Sequence, residues 1–204
     1  MSNAQVLTRT AVISPHGAAH ATTDRELLDR IASGDRLAMH TLFTRHNVRV
    51  YRFALRLTGD TTKAEDIVSE VFFNVWRHAG RFEGRSQVST WILAITRNKA
   101  ITALRQPRDE MLEDDVTQAI VDPADDPQLA LEKKDTGALL SACLKKLSAE
   151  HREIIDLVYY HGKSVDEAAE VVGIPRNTVK TRMFYARKRM SELVELAGGR
   201  KSLH

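Results

Sequence analysis

Apolar residues in this chain recur at intervals of three, four and seven, and no stretch alternates convincingly at two. That period belongs to helices with one buried face, so the pattern predicts an all-α protein without a sheet. Leu42, Phe43, Val50, Phe53, Ala54 and Leu57 form one such face, and Ile67, Val68, Val71, Phe72, Val75 and Trp76 form another. The punctuation agrees. Thr23 with Glu26, Thr62 with Glu65, and Ser164 with Glu167 each have the spacing of a capping box. Gly34 stops a short first helix, and Asp35 can cap a second that runs to Leu57. Thr58-Gly59-Asp60 reads as a turn, and a third helix follows to about His78. After a Gly80–Ser89 loop, Ser89-Thr90 leads into a helix that Pro107 ends near Arg105.

Charge divides the chain further. Residues 1–106 carry 15 basic and 9 acidic side chains, residues 107–139 carry 3 and 10, and residues 140–204 carry 12 and 8. The balances are +6, −7 and +4, so two basic modules flank an acidic segment, a pattern that suits a polyanion touched at two places. Residues 1–22 read as a flexible tail, 23–106 as a helical domain and 107–130 as an acidic, proline-rich linker. Residues 131–197 read as a second helical domain, and 198–204 as a frayed end after the glycines 198 and 199. The fold expected is therefore two small helical domains joined by a flexible acidic linker. Within the second, one helix runs to about Leu147, and Ser148 caps another that reaches Tyr160 and is closed by Gly162.

The strongest local signal lies between Ser164 and Arg189. A helix of two to three turns is followed by Gly173-Ile174-Pro175, and Asn177 or Thr178 opens a last helix. Val179, Met183, Ala186, Met190 and Leu193 make one apolar stripe on it, while no acid interrupts Arg176, Lys180, Arg182, Arg187, Lys188 and Arg189. This is a helix-turn-helix with a positive second helix. Asn177, Thr178, Lys180 and Thr181 suit base edges, and Arg176, Arg182 and Arg187 suit phosphates. A helical hairpin with a solvated basic face is the plainer alternative.

Other classes fall away. No Walker loop, dinucleotide glycine pattern or zinc-spaced cysteine pair is present, so no catalytic residue, metal ligand or cofactor is assigned. The single cysteine, Cys143, sits among leucines and reads as buried and structural. His151 and His161 read as solvated helix-end residues. No apolar run reaches the length of a membrane span or a signal-peptide core, which points to a cytoplasmic protein without membrane insertion.

Four stretches in order resemble the bacterial RNA polymerase sigma-70 family, in its extracytoplasmic-function (ECF, group IV) branch. They are AEDIVSEVF from Ala64 with Val75-Trp76, and FEGRS from Phe82 leading through STWI from Ser89 to ITRNKA from Ile95. Next come LSAEHRE from Leu147 and DEAA from Asp166, the latter with Gly173-Ile174-Pro175 and TVKTR from Thr178. The resemblance covers about residues 24–196.

The resemblance implies a dissociable initiation subunit that binds core RNA polymerase and directs it to promoters. Residues 62–78 would face the polymerase clamp, with Glu65, Asp66, Glu70 and Phe73 as contacts; a dipole-favoured helix start is the plainer account of the acids. Phe72 and Phe73 read as packing rather than base stacking, and Trp91 as a core residue. Phe82, Arg85, Ser86 and Gln87 would shape a pocket for a flipped base of the −10 element, and Arg97, Asn98, Lys99 and Arg105 would hold the melted strand. The last helix would read duplex −35 DNA. The linker would thread into the polymerase, with a disordered solubilising spacer as the plainer account, and an anti-sigma factor would be a second protein partner. Gln106-Pro107 and acids stand where many members carry a basic cluster. The Arg45, Arg49, Arg52 and Arg56 stripe reads as a solvated face, with upstream DNA or an acidic regulator as the alternative. A stand-alone helix-turn-helix regulator is the competing function.

Overall fold

The computed structural model describes residues 22–105, 137 and 139–201, with side chains as far as Ala197. The expected N-terminal tail and acidic linker lie outside the described residues. Helices α1 (Asp24–Ala32), α2 (Arg36–Thr58), α3 (Thr61–His78) and α4 (Val88–Arg105) form the first bundle. A 3-10 turn, Ala79–Arg81, follows α3. The second bundle contains α5 (139–145), α6 (Ala149–Ile155), α7 (Val165–Val172) and α8 (Arg176–Lys201). No strand occurs among the described residues.

Caps fix where these helices begin. At α1 the Thr23 hydroxyl accepts the Glu26 N–H at 3.2 Å, and the Glu26 carboxylate accepts the Thr23 N–H at 2.8 Å. Ser164 and Glu167 repeat this box at α7, with 3.2 Å and 3.0 Å. The expected box at Thr62 and Glu65 does not form. Asp60 caps α3 instead, its carboxylate accepting the Lys63 N–H at 3.0 Å. An aspartate next to the turn glycine takes the cap one residue before the helix, leaving Thr62 already helical. Similarly, α8 starts at Arg176 rather than Asn177 or Thr178, because the Pro175 carbonyl already accepts the Thr178 and Val179 N–H groups. It also continues through Gly198 and Gly199 to Lys201. The helix expected to reach Tyr160 is α-helical only to Ile155. Asp156–Tyr160 widens into a π-turn, closed by the His161 N–H on the Asp156 carbonyl.

Two apolar cores result. Leu27, Leu28, Ile31, Leu42, Val50, Val71, Val75 and Ile92 are buried in the first, with Trp91 packed at its edge. Ile154, Leu157, Ala168, Val171, Val179, Met183 and Ala186 are buried in the second, and Cys143 is buried with them. The second core also takes Phe53 from α2 and Leu93 from α4, both almost wholly buried. The bundles therefore share a seam, and α4 lies against α7.

Polar groups rim that seam. Arg56 pairs with Asp156 and lies 3.9 Å from the Tyr160 ring centre, so one member of the arginine stripe leaves solvent for an interface. The Arg97 Nε–H donates to Glu153 at 2.6 Å. Buried Lys163 donates to the Ser89 and Thr90 hydroxyls at 2.7 and 2.9 Å, and to Glu167 at 3.0 Å. His161, expected in solvent, is only 6% exposed and packs edge-on against Phe53. Closing the seam over Phe53 carries it inside.

Candidate nucleic-acid interface

The loop between α3 and α4 makes an open cleft of about 440 Å³ against the start of α1. Its lining comprises Asp24, Arg25, Phe82, Gly84, Ser86, Gln87, Val88 and Ser89. Phe82, Ser86 and Gln87 thus come together as the sequence suggested. Phe82 is fixed by Trp91, ring centres 5.2 Å apart, which places an aromatic face beside hydroxyl and amide groups. Gly84 has a left-handed backbone at φ 72°, and a Cβ there would strike the Arg25 guanidinium. Arg85 does not line the cleft; it is exposed and paired with Glu83.

Asp24 and Arg25 escaped the sequence reading. Their helix is short, and the two residues lie 57 to 65 positions from the Phe82–Ser89 loop, so only the fold joins them. Asp24 anchors α1 to α2: its carboxylate accepts from Arg45 at 2.9 Å and meets His46 Nε2 at 2.7 Å. Burial pushes the Asp24 pKa up, but Arg45 and His46 outweigh it and leave it below the ordinary value.

The expected rail along α4 is not one rail. Successive helical residues point about 100° apart. Arg97 turns to Glu153 on α6, Asn98 is exposed, and Lys99 turns to Glu70 on α3 at 2.7 Å. Arg105 is exposed at the end of the described stretch. In this closed arrangement Arg97 is occupied, and Thr90 donates to Glu167 at 2.8 Å. Burial raises the Glu167 pKa, yet the Ser164 N–H, Thr90 hydroxyl and Lys163 ammonium together hold it at about 2.

A second face runs along α3. Asp66, Glu70, Phe73 and Arg77 follow one another at helical spacing and are exposed, with Glu65 beside them. Phe73 is 61% exposed, with the Arg77 guanidinium 5.6 Å from its ring centre, whereas Phe72 is buried. Packing therefore describes Phe72 and not Phe73.

The third face is α8. Val179, Met183, Ala186 and Leu193 point into the second core, which turns Asn177, Lys180, Thr181 and Lys188 outward. Thr178 is half-buried, and the Thr181 hydroxyl donates back to the Asn177 carbonyl at 3.0 Å. Arg176 is exposed and pairs with Asp166 at 3.2 Å. Arg182 is held by Glu150 at 2.8 Å, and Arg187 lies 5.8 Å from the Tyr159 ring centre. Phe184 and Tyr185 are unexpected: both are exposed and contact each other edge-on. By sequence this stretch reads as a basic helix with one apolar stripe, and neither aromatic is assigned a role. Aromatics between two apolar-stripe residues were the overlooked sign.

Residues 42–110 match the sigma-70 region 2 family, and residues 138–190 match sigma-70 region 4. The ECF RNA polymerase sigma factor SigL of Mycobacterium tuberculosis is 32% identical over 76% of this chain and 88% of its own length. This chain is an ECF sigma factor of the sigma-70 family. As such it directs RNA polymerase to promoters. A second relative, SigM of the same organism, is 32% identical over 87% of this chain and 88% of its own length. Among solved structures, CnrH in complex with the cytosolic domain of CnrY aligns with a TM-score of 0.61 at 26% identity. That alignment covers 85% of this chain and 97% of CnrH. RpoE in complex with the anti-sigma factor NepR, from Bartonella quintana, gives 0.59 at 27% identity, covering 76% and 96%. The sigma factor thus has the two helical domains expected, and among its described residues no helix is long and apolar enough to cross a membrane.

Proposed function

We propose that this sigma factor captures a flipped base of the melted −10 strand in the cleft beside Phe82 and reads duplex −35 DNA with the outward face of α8. The observation that carries the reading is the convergence of Phe82, Ser86 and Gln87 on one open cleft. A flipped base needs an aromatic surface and a few polar partners at its edge, and these side chains supply both. On α8, Asn177 and Lys180 offer donors for base edges, while Arg176, Arg187 and Lys188 neutralise phosphates. The anionic and aromatic stripe Asp66–Glu70–Phe73 repels DNA and suits a basic protein surface, which favours docking on core polymerase.

The closed seam is the resting form in this proposal. Arg97 and Thr90 are engaged by Glu153 and Glu167, so strand capture along α4 requires the second bundle to swing away. An anti-sigma factor that holds the chain closed would use this form, a reading supported by the partners of CnrH and RpoE in their complexes. Family membership implies a non-enzymatic role, and polymerase supplies the nucleotide chemistry in the cytoplasm.

Run-off transcription tests the proposal. Bacterial core polymerase, with and without the purified chain, is offered a pool of genomic promoter fragments, and start sites are mapped. Chain-dependent transcripts sharing −35 and −10 elements are expected, and Phe82→Ala should lower open-complex formation while core binding persists. Absence of chain-dependent transcripts, with a control sigma active in parallel, would favour a stand-alone DNA-binding regulator. Unchanged strand opening by Phe82→Ala would remove the cleft from the mechanism.

A further inference from the structure

We propose that Arg25, on α1, binds the backbone phosphate beside the flipped base and so completes the −10 cleft. The inference rests on the −10 reading above and adds to it a residue that precedes the region 2 match at residues 42–110. Among the described residues that line the cleft, Arg25 is the one cation. A base cannot enter alone; its phosphates come with it, and loop residues Ser86, Gln87 and Ser89 carry no charge to meet them.

The position of Arg25 is built rather than incidental. Asp24 ties the first turn of α1 to Arg45 and His46 of α2, so the backbone that carries Arg25 is anchored. The guanidinium reaches 5.3 Å from the Phe82 ring centre and passes over Gly84, where any side chain would collide with it. Among the described residues its one ion pair is the 3.4 Å contact with Asp29, and its side chain is half-exposed. An exposed i,i+4 pair of this kind is weak and gives way to a phosphate, which offers a charge-assisted bidentate partner. Asp24 has both oxygens engaged, so it positions the helix and leaves the contact to Arg25.

The experiment uses holoenzyme made from the full chain and core polymerase. The probe is a fork-junction DNA with a single-stranded −10 segment, taken from a promoter found by start-site mapping. Affinity is measured between 50 and 500 mM salt for wild type, Arg25→Gln and Arg25→Lys. One single-strand phosphate contact contributes about 0.7 to the slope of log affinity against log salt. The advantage of wild type over Arg25→Gln should therefore shrink about fivefold across that tenfold range. Arg25→Lys should keep the wild-type slope, and core binding and preference among −10 sequences should not change. Weaker binding by Arg25→Gln at an unchanged slope would assign Arg25 a structural role and overturn the proposal, as would wild-type binding by that variant. Failure of wild-type holoenzyme to bind the probe would instead remove the −10 reading on which it rests.

Discussion

The two bundles differ in who completes their cores. The first closes on its own helices: Leu27 and Ile31 of α1, Leu42 and Val50 of α2, Val71 and Val75 of α3, and Ile92 of α4 bury one another. The second is built around α6, α7 and α8 and then takes Phe53 and Leu93 from its neighbour. A domain of this size has little apolar area to spare, so borrowed side chains matter to it. The seam is also the polar part of the molecule, with Arg56–Asp156, Arg97–Glu153 and the Lys163 cluster around the apolar contact. Buried pairs of this type add little net stability, yet breaking one partner is costly because it leaves the other charge buried and uncompensated.

The strongest way to break the comparison is to shorten one leucine on each side of it. Leu42 lies within the first core and Leu93 in the seam, and both are almost wholly buried. Leu42→Ala should cost about 2–5 kcal/mol in urea unfolding, because its surroundings can relax only partly. Leu93→Ala should cost less, since the second bundle can shift across the gap. It should also raise the radius of gyration in small-angle scattering, which Leu42→Ala should not do while folded. Equal expansion, or none from Leu93→Ala, would mean that the bundles do not depend on each other as the shared core requires.

Acid gives a second, smaller test. His161 is enclosed by Phe53 from α2 and by Asp156 on its own side, with Arg49, Arg52, Arg56 and Lys163 nearby. Burial, then the positive field of Arg56, Arg49, Lys163 and Arg52, lowers its pKa from 6.5 to about 3. The folded chain therefore keeps His161 neutral where the unfolded chain protonates it. Its stabilising effect is fully present above pH 6.5 and is lost as pH falls toward 3. Between pH 6 and 4 the slope should approach about 1.4 kcal/mol per unit. Glu167 adds its own loss only as pH falls from 4.5 toward 2. Urea midpoints at pH 7.5, 6 and 5 should decline in wild type and flatten in His161→Leu. A wild-type slope in that variant would place the acid sensitivity elsewhere.

The same contrast explains what could be read from the sequence. Helical period, the turns at Gly59 and Gly173 and the α1 and α7 boxes depend on neighbours a few residues apart, so they were legible, whereas the stop expected at Gly198 and Gly199 did not occur. The apolar stripe of α8 was legible for the same reason. The seam was not. Arg56 and Asp156 are one hundred positions apart, and Lys163 and Thr90 are seventy-three apart. A charged residue at such a distance looks like a solvated one until packing brings its partner. Two of the eight residues lining the cleft had the same history, since Phe82 and Gln87 stand in one loop while Asp24 and Arg25 arrive from α1.

The smallest effects sharpen the point with one chemistry in two places. Asp60 caps α3 and Ser164 caps α7, each by a side-chain oxygen on a backbone N–H. Replacing either with alanine should cost about 1 kcal/mol for the cap itself. The consequences should then diverge. Asp60→Ala leaves the seam alone, so it should lower first-bundle protection in hydrogen exchange and little else. Thr62→Ala, beside it, should be nearly silent, because its hydroxyl caps nothing. Ser164→Ala acts on a box whose other member, Glu167, also receives Thr90 and Lys163. Loosening that carboxylate reaches across to α4, so exchange should quicken at the start of α4 as well as in α7. If Ser164→Ala speeds exchange in α7 alone, the cap and the seam are independent, and the closed form is held by its apolar contacts without help from the polar rim.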